Sequence, residues 1–312
     1  MQDGCAREIT YLRLSITDRC NLRCQYCMPA EGIVKRPHRD ICSIEELTEI
    51  TRQAAALGVR KVRLTGGEPL VRRGVLELCR NISGLTGIDE LCLTTNGTAL
   101  PQLAAPLREA GVNRLNVSLD TLRPERYAHI TRIGKLEDVL KGLEAAAAAG
   151  FVHTKLNVVL MKGFNEDEIP NFVELSKRYP LEIRFIELMP IGEGTRETFL
   201  PAAAVLEACP ELVPLDTSGV ANRYRIPGGA GLIGLIEPMS HRFCDRCDRI
   251  RVTADGKLKP CLHSNQEIPL RGLSGEALRD AIRTGITAKP QRHYMTETGR
   301  SSADRTMNQI GG

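Results

Sequence analysis

The sequence predicts an α/β fold: an incomplete (β/α)6 barrel over residues 1–190, followed by a C-terminal region over residues 191–312. Three observations carry this. Six short runs rich in Val, Ile, Leu and Thr alternate with helical patterns, the alternation stops after Pro190, and several runs place polar residues at every second position. A repeated strand–helix order gives a parallel sheet with right-handed crossovers. Six units are too few for the closed eight-stranded form.

The expected strands are Tyr11–Ile16, Lys61–Thr65, Glu90–Thr95, Arg114–Leu119, Lys155–Leu160 and Glu182–Leu188. Ser43 with Glu46 three residues on is a capping box, which opens a helix running through Leu57, with Gly58 at the C-cap. Leu136, Val139, Leu140 and Leu143 form an i, i+3, i+4, i+7 stripe that ends at Gly150. Gly192–Gly194 and Pro201 mark the boundary of the second region. There Tyr224–Ile226 and Leu232–Ile236 flank the turn residues PGGAG, a hairpin signal. A helix is expected near Gly275–Arg283, then a polar tail from about Thr284.

The alternation in the strands carries a second message. Arg63 and Thr65, then Asn116, Ser118 and Asp120, then Lys155 and Asn157, each share one face of a strand, with Val or Leu on the other. The outer face of a helix-covered sheet must be apolar, so the polar set faces inward. A polar, partly cationic interior suits a polar, anionic ligand.

Composition sets limits. The 312 residues are 42% hydrophobic and 26% charged, which is globular rather than disordered. A formal charge of +4 does not predict a nucleic-acid partner, and 4% aromatics with no Trp argue against a base-stacking surface. No stretch approaches the ~18 apolar residues of a membrane span. The first residues lack a secretory pattern, so no membrane partner and a cytoplasmic location are expected.

Eleven cysteines are the unusual feature. Five are scattered (5, 42, 79, 92 and 209) and read as small buried hydrophobes. Six fall into two groups. Cys20, Cys24 and Cys27 follow the first strand with C-x3-C-x2-C spacing, close enough to converge on one inorganic centre. A structural zinc site wants four protein ligands, and no fourth is near. A [4Fe–4S] cluster held by three thiolates keeps one iron open to a substrate or cofactor. Cys244, Cys247 and Cys261 again number three. They read as a Cys3His zinc site completed by His241 or His263, or as a second iron–sulfur cluster with an open iron.

At the first group the sequence resembles the radical S-adenosylmethionine family, whose hallmark is this triplet with an aromatic before the last cysteine, here Tyr26. The resemblance implies a TIM-like partial (β/α)6 barrel. It implies that the open iron binds S-adenosylmethionine, which the reduced cluster cleaves to methionine and a hydrogen-abstracting 5′-deoxyadenosyl radical. Gly67, in the GGEP run at the end of the second strand, with Ser118 and Met189, matches the family's cofactor contacts.

Seven runs extend the likeness across nearly the whole chain: LRLSITDRCNLRCQYCMP, VRLTGGEPLVRR, LTTNG, LNVSLD, EIRFIELMP, FCDRCDRIRVTADGKLKPCL and the terminal IGG. They are similar to the branch of the family that rearranges GTP at the start of molybdenum cofactor synthesis. That likeness implies a second [4Fe–4S] cluster on Cys244, Cys247 and Cys261, in a C-terminal extension that also helps close the barrel. It implies GTP contacts from Arg13, Arg63, Thr94, Lys155, Arg184, Arg249 and Arg251, with Arg13, Arg249 and Arg251 the catalytic candidates. A nucleoside triphosphate carries roughly four negative charges, so several cations around it are expected. Arg184 and Met189 differ in parity, so a regular strand would not point both inward; a strand end or a bulge would. The terminal Gly311-Gly312 is similar to a double glycine that reaches the active site. Also implied are a homodimer, a low-potential electron donor and a cyclic pyranopterin monophosphate synthase that takes the product. Two other readings fit parts of the sequence: a peptide-modifying radical maturase, and a zinc-stabilised nucleotide-binding protein.

Overall fold

A computed structural model describes residues 1–33, 36–194 and 196–311. Six parallel strands follow one another in space as in sequence: β1 (Tyr11–Ser15), β2 (Lys61–Thr65), β3 (Glu90–Thr95), β4 (Arg114–Ser118), β5 (Lys155–Leu160) and β6 (Glu182–Glu187). Between them run α1 (Ile44–Ala56), α2 (Val75–Ser83), α3 (Leu100–Glu109), α4 (Pro124–Thr131), α5 (Leu136–Ala148) and α6 (Ile169–Arg178). The capping box of α1 is complete: Ser43 Oγ accepts from Glu46 N at 3.1 Å and Ser43 N donates to Glu46 Oε2 at 2.7 Å. The apolar alternates of the strands, such as Leu12, Leu64, Leu93, Val117, Val158 and Phe185, are fully buried beneath the helices. Phe172 of α6 meets Phe185 edge-on, with ring centroids 6.1 Å apart.

After α7 (Ala203–Ala208) the chain adds to the same sheet at both edges. β7 (Val213–Ser218), β8 (Ala221–Arg225) and β9 (Leu232–Ile236) form an antiparallel meander whose last strand lies parallel to β6. β10 (Arg249–Val252) lies parallel to β1, then β11 (Lys257–Lys259) and β12 (Ile268–Pro269) run antiparallel to their neighbours. The result is one mixed twelve-stranded sheet. Helices α8 (Gly275–Thr287), α9 (Met295–Thr298) and α10 (Met307–Ile310) complete the described chain.

Three details differ from expectation. The hairpin signal marked β8 and β9, but β7 was not foreseen: its residues are mostly exposed and include Pro214, so no buried alternation announces it. The helix expected to stop near Arg283 continues to Thr287, because Ile286 is buried beside Ile282 on the same face. Of the scattered cysteines, Cys42, Cys79, Cys92 and Cys209 are buried as expected, but Cys5 is exposed. No helix among the described residues is long and apolar enough to cross a membrane.

Candidate functional site

The sheet bends around a cavity of about 470 Å³, lined by residues from all six central strands, from both added edges and from the loops at the strands' C-terminal ends. The inward alternates predicted from the sequence line it: Arg63 and Thr65, Asn116, Ser118 and Asp120, and Lys155 and Asn157. Strand register stacks them into rungs. Arg251, Arg13 and Arg63 sit side by side on β10, β1 and β2. Thr94, Asn116 and Lys155 do so on β3, β4 and β5. Asn157 and Arg184 follow on β5 and β6.

The rung of arginines is dry and crowded. Arg251 is buried and Arg13 half-buried, and each is pushed below the usual arginine pKa, first by desolvation and then by neighbouring guanidinium groups; Arg251 falls to about 10. Tyr11 holds the positive charges apart on one side. Its hydroxyl accepts from Arg63 Nε, and Lys61 and Arg249 lie over its ring at 5.2 and 5.5 Å. Burial would raise the Tyr11 pKa, yet Arg63, Arg13 and Arg249 together lower it. Lys155 meets Glu182 at 2.6 Å, but desolvation and Arg184 outweigh that partner and bring the lysine down to about 8. Thr65 Oγ1, Asn116 Oδ1, Asn157 Oδ1 and Arg249 Nε are buried without a hydrogen-bond partner in the protein. Such groups are costly unless a ligand satisfies them.

The first cysteine triplet lies on the loop after β1. Gly67 N donates to Thr17 O and Glu68 N to Arg19 O, both at 2.8 Å, so the GGEP run is laid directly on that loop. Gly66 has φ +145°, and a Cβ there would stand 2.2 Å from Thr17 O; at Gly67 it would stand 2.3 Å from Arg19 O. Only glycine permits this approach. Glu68 accepts from Leu70 N, Asn96 N and Thr95 Oγ1, tying the end of β2 to the end of β3. Tyr26 donates to Asp120 Oδ2 at 2.7 Å, while Val159 N donates to Asp120 Oδ1 at 2.8 Å. Burial raises Cys20 to about 11 and Cys27 to about 12, and raises Cys24 as well.

The second triplet stands across the cavity. Cys244 opens a short turn, Cys247 precedes β10, and Cys261 follows β11. Its neighbours are cationic. Lys289 Nζ donates to Arg249 O at 2.7 Å and Pro260 O at 3.0 Å, fastening both ends of the segment that bears the cysteines. Burial works to raise Cys247, but Lys289 and Arg249 bring it below the ordinary thiol value. Behind the turn, Arg7 donates to Cys244 O at 2.7 Å and to the carbonyls of Pro290 and Gln291, and pairs with Asp3 at 2.7 Å.

Every site residue named from the sequence lines this one cavity: the six cysteines, Tyr26, Gly67, Ser118, Met189, Arg13, Arg63, Thr94, Lys155, Arg184, Arg249 and Arg251. Arg184 and Met189 both reach it because β6 ends at Glu187, so strand parity does not govern Met189. Of the histidines weighed as zinc ligands, His263 lines the cavity against His293, while His241 turns to Glu237 at 3.0 Å. Among the described residues no three His, Cys, Asp or Glu side chains are gathered closely enough to hold a single metal ion. A cluster takes its thiolates at separate irons and has room for a wider triplet. Gly311 O accepts from Nη1 of the cavity-lining Arg251 at 2.6 Å; Gly312 lies outside the described residues.

Sequence reasoning missed Tyr11, Lys61, Glu68, Asp120 as a partner of Tyr26, and Lys289. Tyr11 and Lys61 had a usable signal, since both sit two residues before a named arginine and so share its face. Lys289 had none, because its side chain's hydrogen-bond partners lie 40 and 29 positions away.

Residues 14–176 match the Radical SAM superfamily and residues 181–295 match Molybdenum Cofactor Synthesis C. Among curated proteins, the GTP 3′,8-cyclase of Pelotomaculum thermopropionicum is 50% identical and that of Alkaliphilus metalliredigens 48%, each alignment covering 100% of both chains. Among solved structures, Streptococcus suis SuiB shares the fold at 14% identity, with a TM-score of 0.63 over 90% of this chain and 66% of that one. The maturase HydG of Carboxydothermus hydrogenoformans gives 0.51 at 16% identity, over 66% of this chain and 52% of that one. Full-length identity near one half, with both halves matching in order, places this chain in the GTP 3′,8-cyclase family of radical S-adenosylmethionine enzymes.

Proposed function

We propose that this cavity converts GTP to (8S)-3′,8-cyclo-7,8-dihydroguanosine 5′-triphosphate, the first step of molybdenum cofactor biosynthesis, and that its residues divide the work as follows. The observation that carries the reading is that two cysteine triplets and a set of buried cations face one cavity. Residues 1–190 form the partial barrel that binds S-adenosylmethionine; residues 191–312 supply the second cluster, the strands that help close the barrel and the glycine tail.

Cys20, Cys24 and Cys27 hold one [4Fe–4S] cluster, and Cys244, Cys247 and Cys261 hold the other. Loaded with S-adenosylmethionine, the first would supply the hydrogen-abstracting radical chemistry that joins C3′ of GTP to C8. The protein's own part is to position and to exclude water. Gly67 lets the backbone approach the cofactor, with Ser118, Met189 and the Tyr26–Asp120 pair around it. Arg63, Thr94, Lys155, Arg184, Arg249 and Arg251 hold the triphosphate and base. In a site this dry, each cation–anion contact is much stronger than in water. Burial makes the Arg13 guanidinium a stronger acid than usual, which suits it to deliver the proton when the cyclised base is reduced. The net reduction draws on a low-potential electron donor. A homodimer and a cyclic pyranopterin monophosphate synthase that consumes the product complete the reading.

The test is anaerobic turnover of reconstituted protein with S-adenosylmethionine and dithionite, with and without GTP, followed by mass spectrometry. Formation of 5′-deoxyadenosine together with a new nucleotide isomeric with GTP, resolved from it by chromatography before the mass analysis, supports the reading. Deoxyadenosine with unchanged GTP rejects the substrate, and a colourless protein holding zinc rejects the chemistry.

A further inference from the structure

The end of the chain reaches the cavity by a route that is fixed outside it. It first lies along the loop after Cys261: Ser302 Oγ donates to His263 O, and Asp304 N donates to Asn265 Oδ1 at 2.8 Å. Arg305 then closes a clamp. Its Nη1 and Nη2 donate to the two oxygens of Asp255 at 3.0 and 2.9 Å, and its Nε and Nη2 reach both oxygens of Glu267, the latter at 2.9 Å. Asp255 sits in the β10–β11 turn and Glu267 just before β12, so one guanidinium spans the segment that carries Cys261.

The same carboxylate is held from the other side. Arg36, downstream of the first triplet, donates from Nη1 to Asp255 Oδ2 at 2.9 Å and stands 3.6 Å from Asp18 Oδ2. Asp18 precedes that triplet, and its carbonyl accepts from Asn308 Nδ2 of the tail at 3.3 Å. Asp255 and Arg305 side chains are 11% and 13% exposed, so solvent screens this pair poorly. Beyond the clamp the tail has little slack. Gly311 O is held by Arg251 at 2.6 Å, and a Cβ on Gly311 would stand 2.1 Å from Thr65 Oγ1.

We infer that Asp255 is a positioning residue: a single carboxylate that, through Arg305 and Arg36, keeps the C-terminal segment and the first cysteine loop in register with the strand bearing Arg251. A bidentate arginine–carboxylate pair fixes orientation as well as distance, which a lysine point charge cannot do. Burial alone would raise the Asp255 pKa. Hydrogen bonds from Arg305 and Thr253 and the charges of Arg305 and Arg36 instead hold it well below the usual carboxylate range, so the link stays charged at working pH. Its consequence for turnover rests on the reaction proposed above; the anchoring does not.

Hydrogen exchange on the cluster-free full chain tests the anchor without any ligand. Asp255→Asn should speed exchange at least about tenfold both at residues 306–311 and at residues 28–33, with the amides of β1–β6 unchanged. Arg305→Lys should loosen the tail alone, and Arg36→Ala the first loop alone. Wild-type exchange in the tail of Asp255→Asn overturns the inference, as does a uniform acceleration that includes the central strands. In the loaded enzyme, the ratio of 5′-deoxyadenosine to cyclised nucleotide should rise about tenfold in Asp255→Asn and less in Arg305→Lys. A loosened tail with an unchanged ratio overturns the positioning role. If the wild type makes no cyclised nucleotide, the proposed reaction has failed and the exchange result alone decides the anchor.

Discussion

The two cysteine triplets share a cavity but not an electrostatic setting. Around the first stand the buried carboxyls of Glu68 and Asp120, and burial raises the pKa of all three thiols. Around the second stand Lys289, Arg249 and Arg251; burial raises Cys244 here too, but Cys247 is lowered despite its burial. Cluster potentials follow local charge, hydrogen bonds and burial. A centre among carboxyls is the harder to reduce and the better electron donor, as reductive cleavage of S-adenosylmethionine demands. A centre among cations suits an anionic nucleotide. Under the proposed assignment, the same ligand type would serve two ends because its neighbours differ.

Removing ligands should break the contrast most completely. Cys20→Ala, Cys24→Ala or Cys27→Ala should reduce 5′-deoxyadenosine to background and lose the iron of one cluster. Cys244→Ala, Cys247→Ala or Cys261→Ala should lose the other cluster's iron, keep some cleavage and make no cyclised nucleotide. Iron analysis and product mass spectrometry read both, and cyclisation by a second-triplet variant would falsify the division of roles.

Next in size is the cationic side. Arg251→Ala removes a buried charged hydrogen-bond donor worth about 1.5–3 kcal/mol, so GTP should bind roughly 10- to 150-fold more weakly while S-adenosylmethionine binding holds. Calorimetry with each ligand separates the two. A smaller effect tracks pH. Lys155 sits near 8, so its ammonium is lost as pH rises through that value, and GTP affinity should fall there. Lys155→Met should bind more weakly at neutral pH and lose that limb of the profile.

The smallest effect sharpens the carboxyl side. Burial raises Asp120 to about 6 and Glu68 to about 7, above their values in an unfolded chain. A raised carboxyl contributes stability that is full below its unfolded pKa and is lost as pH rises through the folded one. Thermal melts of cluster-free Asp120→Asn should therefore gain on the wild type as pH rises from about 4 to about 6. In the loaded protein the same change should raise the first cluster's potential and leave the second's in place, read by an electrochemical titration.

How far the sequence could be read follows from the range of each signal. The six central strands, the α1 cap and the inward polar face rest on periodicities within a few residues, and they emerged nearly to the residue. The cysteine triplets were legible from their own spacing, and the cavity-lining arginines from the family likeness of the local runs that carry them. Lys289, Arg7 and Asp255 were not. Each acts by touching carbonyls or charges dozens to hundreds of positions away, and nothing in the neighbouring sequence reports such a contact.

The sequence by itself determined the chemistry available here: two cysteine triplets, a cationic set with period two, and glycines where backbones meet. Only the tertiary structure decided that β10 would lie parallel to β1 and β9 parallel to β6, which brings the second triplet across the cavity from the first. It also decided the path of the tail, through Arg305 and Asp255 to Arg251. Strand order at the edges of a sheet is set by long-range closure and packing, and a one-dimensional pattern carries no term for either.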